Sequence, residues 1–64
     1  MAIKSKLKLI LVERNIRQND LARRIGVSNP TINKACKDGP TLEVAIKISN
    51  ELNMSVNDIW ELSD

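Results

Sequence analysis

Histidine, tyrosine and phenylalanine are all missing from the 64 residues of this chain, and cysteine occurs once, at Cys36. Without histidine the commonest general base is gone, and a lone thiol cannot close an intramolecular disulfide. One Cys and no His also fall short of the ligand set of a structural zinc site. No nucleophile has a base beside it, so no enzymatic activity is expected. Glycine and proline number two each and Trp60 is the sole aromatic residue. That composition is poor in the turn formers and large rings of a small barrel and suits several short helices, an all-α chain. The apolar run Leu9 to Val12 is far too short to span a bilayer, and no segment has the plan of a secretory signal. A cytoplasmic protein with no membrane partner is expected.

What is present fits one domain over residues 1–64. Apolar residues make up 42% of the chain, enough to line one core. No room is left for a deep pocket, so neither a cofactor nor a small-molecule ligand is expected. The net charge is only +2 but is unevenly spread. Residues 1–40 carry Lys4, Lys6, Lys8, Arg14, Arg17, Arg23, Arg24, Lys34 and Lys37 against Glu13, Asp20 and Asp38. Residues 41–64 carry Lys47 against Glu43, Glu51, Asp58, Glu61 and Asp64. A molecule basic at one end and acidic at the other approaches a polyanion in a preferred orientation. An uneven but merely solvated surface would show the same arithmetic, so charge alone does not decide the partner.

Periodicity and stop signals place five helices. The first runs from about Ile3 to Arg14, with Ile3, Leu7, Ile10, Leu11 and Arg14 on one stripe. The second covers Gln18 to Ile25, burying Leu21, Ala22 and Ile25, and Gly26 ends it by taking φ > 0. Ser28 caps a third helix over Asn29 to Cys36, with Pro30 in the first turn where a missing N–H costs nothing. After the turn Asp38-Gly39-Pro40, Thr41 caps a fourth helix, Leu42 to Leu52. Its stripe is Leu42, Ala45, Ile46 and Ser49 with Ile48 and Leu52 beside it, and Asn53 closes it. Ser55 to Asp58 has the form of a capping box and opens a short fifth helix through Trp60 or Leu62.

The stretch Gln18 to Lys34, QNDLARRIGVSNPTINK, is therefore two helices joined by a three-residue turn opened by Gly, a helix-turn-helix unit. Ala22 lets the helices cross closely, and Leu21, Ile25, Val27 and Ile32 fill the corner. The second helix then presents its N-terminal end outward, where it can enter a major groove.

Gln18-Asn19-Asp20-Leu21-Ala22, Ile25-Gly26-Val27-Ser28 and Thr31-Ile32 resemble the Cro/repressor type of helix-turn-helix protein, similar to the lambdoid phage repressors. Ile46 to Ile59 resembles that family's fourth and fifth helices, so the likeness spans about Leu7 to Trp60. The resemblance implies a phage or mobile-element transcriptional regulator that binds a palindromic operator in double-stranded DNA as a homodimer. The helix from Asn29 to Cys36 becomes the recognition helix. Ser28, Asn29, Pro30, Thr31, Asn33 and Lys34 become the base-contacting residues. Their chemistry fits: Asn pairs with adenine N6/N7, Lys donates to guanine O6/N7, and Pro30 or the Thr31 methyl meets a thymine methyl. Gln18 matches the family's phosphate-contacting glutamine, and Arg14, Arg17 and Lys37 are further phosphate candidates.

Competing uses exist for several of these residues. Ser28 is a helix cap as well as a base reader, and Asn29 and Lys34 on an unrelated helix would be plain solvated surface. Arg23 and Arg24 are expected to face solvent, Lys4, Lys6 and Lys8 to form a solvated face, and Cys36 to be a small buried hydrophobe. Three positions depart from the family pattern. Arg17 stands where a capping Thr or Asn is usual, Leu11 and Cys36 stand where members pair Arg with Glu, and Gly39 comes one position late. Ile59 and Trp60 read as core, which leaves Met54, Leu62, Leu9 and Val12 for a dimer contact, with the C-terminal end favoured. A protein-interaction module of the same fold, antirepressor or antitoxin-like, is the alternative function.

Overall fold

The start of the chain is extended where its periodicity suggests helix. In the computed structural model, which describes residues 2–63, Ala2–Ser5 form a strand, β1. It pairs antiparallel with a second strand, β2, Trp60–Ser63, in the register Ala2↔Ser63, Ile3↔Leu62, Lys4↔Glu61 and Ser5↔Trp60. Between them lie α1 (Leu7–Glu13), α2 (Gln18–Ile25), α3 (Asn29–Lys37), α4 (Leu42–Leu52) and α5 (Val56–Ile59). The five expected helices are present, but the all-α expectation is corrected: a two-stranded ribbon ties the two ends of the chain together. The first helix starts four residues later than expected, and the fifth stops at Ile59.

Strand replaces helix at both ends because the pairing offers more than one further turn would. Directly opposed residues of an antiparallel pair share a face. Ser5 and Trp60 therefore point together toward the helices, and Ile3 and Leu62 lie beyond them on the same side. Ser5 Oγ donates to the Ala35 carbonyl at 2.7 Å and accepts from the Leu7 N–H at 3.3 Å, so it ends the strand and opens α1. The indole Nε1–H of Trp60 donates to the same Ala35 carbonyl at 3.0 Å. That carbonyl belongs to the last turn of α3, where carbonyls have no partner within the helix. Both strands thus close the C-terminal end of α3. Lys6 N–H to the Ile59 carbonyl at 2.8 Å extends the ladder, and Lys6 also bridges Glu61 at 3.5 Å.

Leu7, Leu21, Ile32, Ile48, Leu52 and Ile59 are fully buried, with Ala22, Ala35 and Trp60 beside them. Along α4 the inward arc is Val44, Ala45, Ile48, Ser49 and Leu52. Leu42 (74% exposed) and Ile46 (46%) face outward, so the expected stripe is rotated from the observed one. Apolar residues cover more than half the circumference of this helix, and periodicity alone cannot pick the arc that meets the core. Ser49 is tolerated inside because its hydroxyl donates to the Ile46 carbonyl at 2.9 Å.

Three helices end in the same way. Asn15 (φ 60), Gly26 (φ 74) and Asn53 (φ 55) are left-handed. In each case the next residue's N–H reaches back five positions: Ile16 to Leu11, Val27 to Ala22 and Met54 to Ser49, at 2.9–3.0 Å. This is the Schellman arrangement, which satisfies otherwise orphaned carbonyls. Gly26 and Asn53 behave as expected; Asn15 carried no signal beyond its tolerance of that conformation. Thr41 caps α4 through Val44 N–H at 3.4 Å, and Ser55 and Asp58 form the reciprocal box at 3.3 Å each way. Gly39 serves close approach: a Cβ there would stand 3.3 Å from the Ile3 side chain, so the loop after α3 packs under β1. Among the described residues no helix is long and apolar enough to cross a membrane.

Candidate nucleic-acid interface

Two short helices meeting at a tight corner hold every side chain of this surface. The corner closes on Ala22, which is 2% exposed and whose carbonyl accepts from the N–H groups of both Gly26 and Val27. With Leu21 and Ile32 fully buried and Ile25 and Val27 packed against the core, α3 is fixed relative to α2 from its first turn. At the other end the two strands hold the Ala35 carbonyl.

Burial divides α3 into two sides. Ile32 and Ala35 are buried, while Thr31 and Cys36 are half-buried. Asn29, Pro30, Asn33, Lys34 and Lys37 are exposed. At 100° per residue these five fall within one arc on the side away from Ile32 and Ala35. Its ionisable groups are Lys34 and Lys37, so the outward face of α3 is amide-bearing and cationic.

Ser28 adopts the extended conformation of an N-cap, φ −79° and ψ 158°, but its side chain does not cap. Its Oγ lies 2.8 Å from Thr31 Oγ1 instead, an exposed hydroxyl pair at the helix start. The expected cap is corrected: Thr31 offers a nearer partner, and Ser28 keeps a hydroxyl at the surface beside Asn29. Gln18 begins α2 and is half-buried, whereas Arg17 before it is exposed and makes no side-chain cap. Arg14 is drawn elsewhere. Its Nη1 donates to the Leu52 carbonyl at the C-terminal end of α4, at 2.6 Å. A cation there meets the negative end of the helix, which gives Arg14 a structural role the sequence did not signal.

Cys36 packs against the core, and burial pushes its thiol pKa up, with Lys8 opposing weakly. A raised pKa keeps the group a neutral thiol near pH 7, the state of a packing residue and not of a nucleophile. Leu11 is 2% exposed, so both positions where an ion pair was to be sought are occupied by apolar packing.

Between α2 and the start of α3 runs an open cleft of about 330 Å³ lined by Asn19, Ala22, Arg23, Val27, Ser28 and Asn29. Sequence reasoning did not single out Asn19 or Arg23 for this surface, because spacing alone does not show which outward side of α2 adjoins α3.

Over residues 6–64 the chain matches the model of the Cro/C1-type helix-turn-helix DNA-binding domain. The chain belongs to this family. A helix-turn-helix transcriptional regulator of Methanocaldococcus jannaschii is 36% identical over 64 residues, covering 97% of each chain. Among solved structures, the transcriptional regulator VanUg superposes with a TM-score of 0.76 at 28% identity. That match covers 100% of this chain and 92% of VanUg. Within the Cro/C1-type family the present chain is distinguished by apolar residues at 11 and 36 and by a Gly39 that packs on Ile3.

Proposed function

We propose that this Cro/C1-type protein is a sequence-specific regulator of transcription that lays α3 in the major groove of duplex DNA. The observation that supports it best is the outward arc of α3, which is polar and cationic and is held at both ends by the fold. Asn29 and Asn33 carry the paired donor and acceptor that adenine N6/N7 requires, and Lys34 suits guanine O6/N7. Pro30 and the Thr31 methyl offer apolar contact to thymine, and Ser28 keeps its hydroxyl at the same edge. Gln18, Arg17 and Lys37 flank the arc and take backbone phosphates, which set register without reading sequence. Arg14 takes its phosphate only by leaving Leu52, so it ranks last of the four.

One short helix reads few bases, so the protein acts as a homodimer on a palindromic operator, its half-sites about 34–36 Å apart. Leu62 is 68% exposed beside Ile3 on the ribbon, and with Leu9 and Val12 on α1 it is the apolar surface available for the dimer. Met54 is withdrawn from that set because it packs against the core. Selection of bound fragments from a random duplex library at two salt concentrations tests the reading. A roughly palindromic consensus is expected, with affinity falling steeply as salt rises. Recovery of no consensus would favour a protein partner for the same surface.

A further inference from the structure

The helix α2 turns two different sides to solvent. Leu21, Ala22 and Ile25 face inward, and the remaining side chains split into pairs four residues apart. Asp20 and Arg24 take the side toward α4, where Arg24 bridges Glu51 at 3.7 Å. Asn19 and Arg23 take the other side, lining the cleft that Ser28 and Asn29 bound from the start of α3. Two neighbouring arginines that look equivalent in the sequence are therefore in different surroundings. Among the described residues no carboxylate lies within the 4.0 Å salt-bridge limit of Arg23, and Asp20, the acid nearest to it along α2, is outside that limit as well.

The cleft's polar side chains are a guanidinium, two carboxamides and a hydroxyl. They supply a fork of N–H donors and a positive charge facing open space. Their chemical complement is an anion bearing only acceptor oxygens, and a phosphodiester is one that Arg binds with two parallel hydrogen bonds. The cleft adjoins Asn29, the first residue of the arc proposed to enter the groove, so an anion held there sits at the groove's rim. We infer that Arg23, helped by Asn19, grips a backbone phosphate of the duplex beside the bases that α3 reads. This clamp rests on the DNA-binding reading above and adds to it a contact on the inner side of α2.

The test compares Arg23→Ala, Arg23→Lys and Arg24→Ala on the selected operator duplex and on an unrelated duplex, across a series of salt concentrations. Thermal unfolding of each variant checks that it is folded. Arg23→Ala should make the slope of log affinity against log salt shallower by about 0.9 on both duplexes, as one lost phosphate contact does. Arg23→Lys should keep the wild-type slope, and Arg24→Ala, which removes the same net charge, should leave it unchanged. A wild-type slope for Arg23→Ala, or an equal loss in Arg24→Ala, would overturn the clamp while leaving DNA binding in place. Failure of the wild type to bind any duplex would overturn both.

Discussion

Trp60→Ala is expected to leave little folded protein at 37 °C. The indole is 5% exposed, and its N–H is one of two donors closing the Ala35 carbonyl at the end of α3. Truncating a buried Trp costs about 3–5 kcal/mol through lost burial and the cavity left behind. A domain of this length has a total stability of roughly 3–10 kcal/mol, so this one change removes a large share of it. Thermal unfolding should move down by at least about 12 °C, at some 4–8 °C per kcal/mol for so small a domain. Trp60→Phe separates the two roles of the side chain. It keeps most of the ring's burial and leaves Ser5 on the carbonyl, so it should cost only about 1–2 kcal/mol. If Trp60→Ala unfolded within about 1 kcal/mol of the wild type, the ribbon would not be the anchor of α3.

Lys34→Ala should relax the preference at one base position in each half-site and leave the others as they were. The expected loss of discrimination is about 1–3 kcal/mol, roughly five- to 150-fold. Lys34 is exposed on the arc opposite Ile32, so the change should leave stability nearly untouched. Gln18→Ala provides the contrast. Its side chain stands at the start of α2, away from the α3 arc, and its removal should weaken every sequence about equally. Binding profiles of the two variants over a set of singly substituted operators distinguish base reading from phosphate positioning. Unchanged preference and affinity in both would mean that another surface reads the DNA.

Much of the helical framework is legible along the chain because its signals are local. Gly26 ends α2, Thr41 and Ser55–Asp58 open the last two helices, and small Ala22 between Leu21 and Ile25 marks the crossing. Each of these depends on neighbours within about five residues. The ribbon is different in kind, since Ile3 finds its partner at Leu62 across nearly the whole chain. No window of helical or strand periodicity spans such a pairing, and Ile3, Leu7 and Ile10 fit a helical stripe equally well. The inward arc of α4 was hidden for a related reason: Leu42, Val44, Ile46 and Ile48 are all apolar, and only tertiary packing chooses among them.

The surface follows the same division. The residues of α3 that face outward were readable from their spacing against Ile32. The engagement of Arg14 with Leu52 was not, because it joins residues 38 apart in sequence. Arg23 and Arg24 could be told apart only once Glu51 was placed beside one of them. Ser28 shows that even a local signal can be outbid: a hydroxyl three residues on, at Thr31, was preferred to the backbone N–H.

The central claim is that α3 reads base edges from the major groove at two sites related by a dyad. Methylation interference on the selected operator tests it most directly. Dimethyl sulfate marks guanine N7 in the major groove and adenine N3 in the minor groove, and bound and free duplexes are then compared base by base. The account predicts that N7 methylation blocks binding in two clusters one helical turn apart, and that Lys34→Ala relieves the effect at one guanine in each. Interference confined to adenine N3, or a single cluster with no symmetry mate, would contradict it.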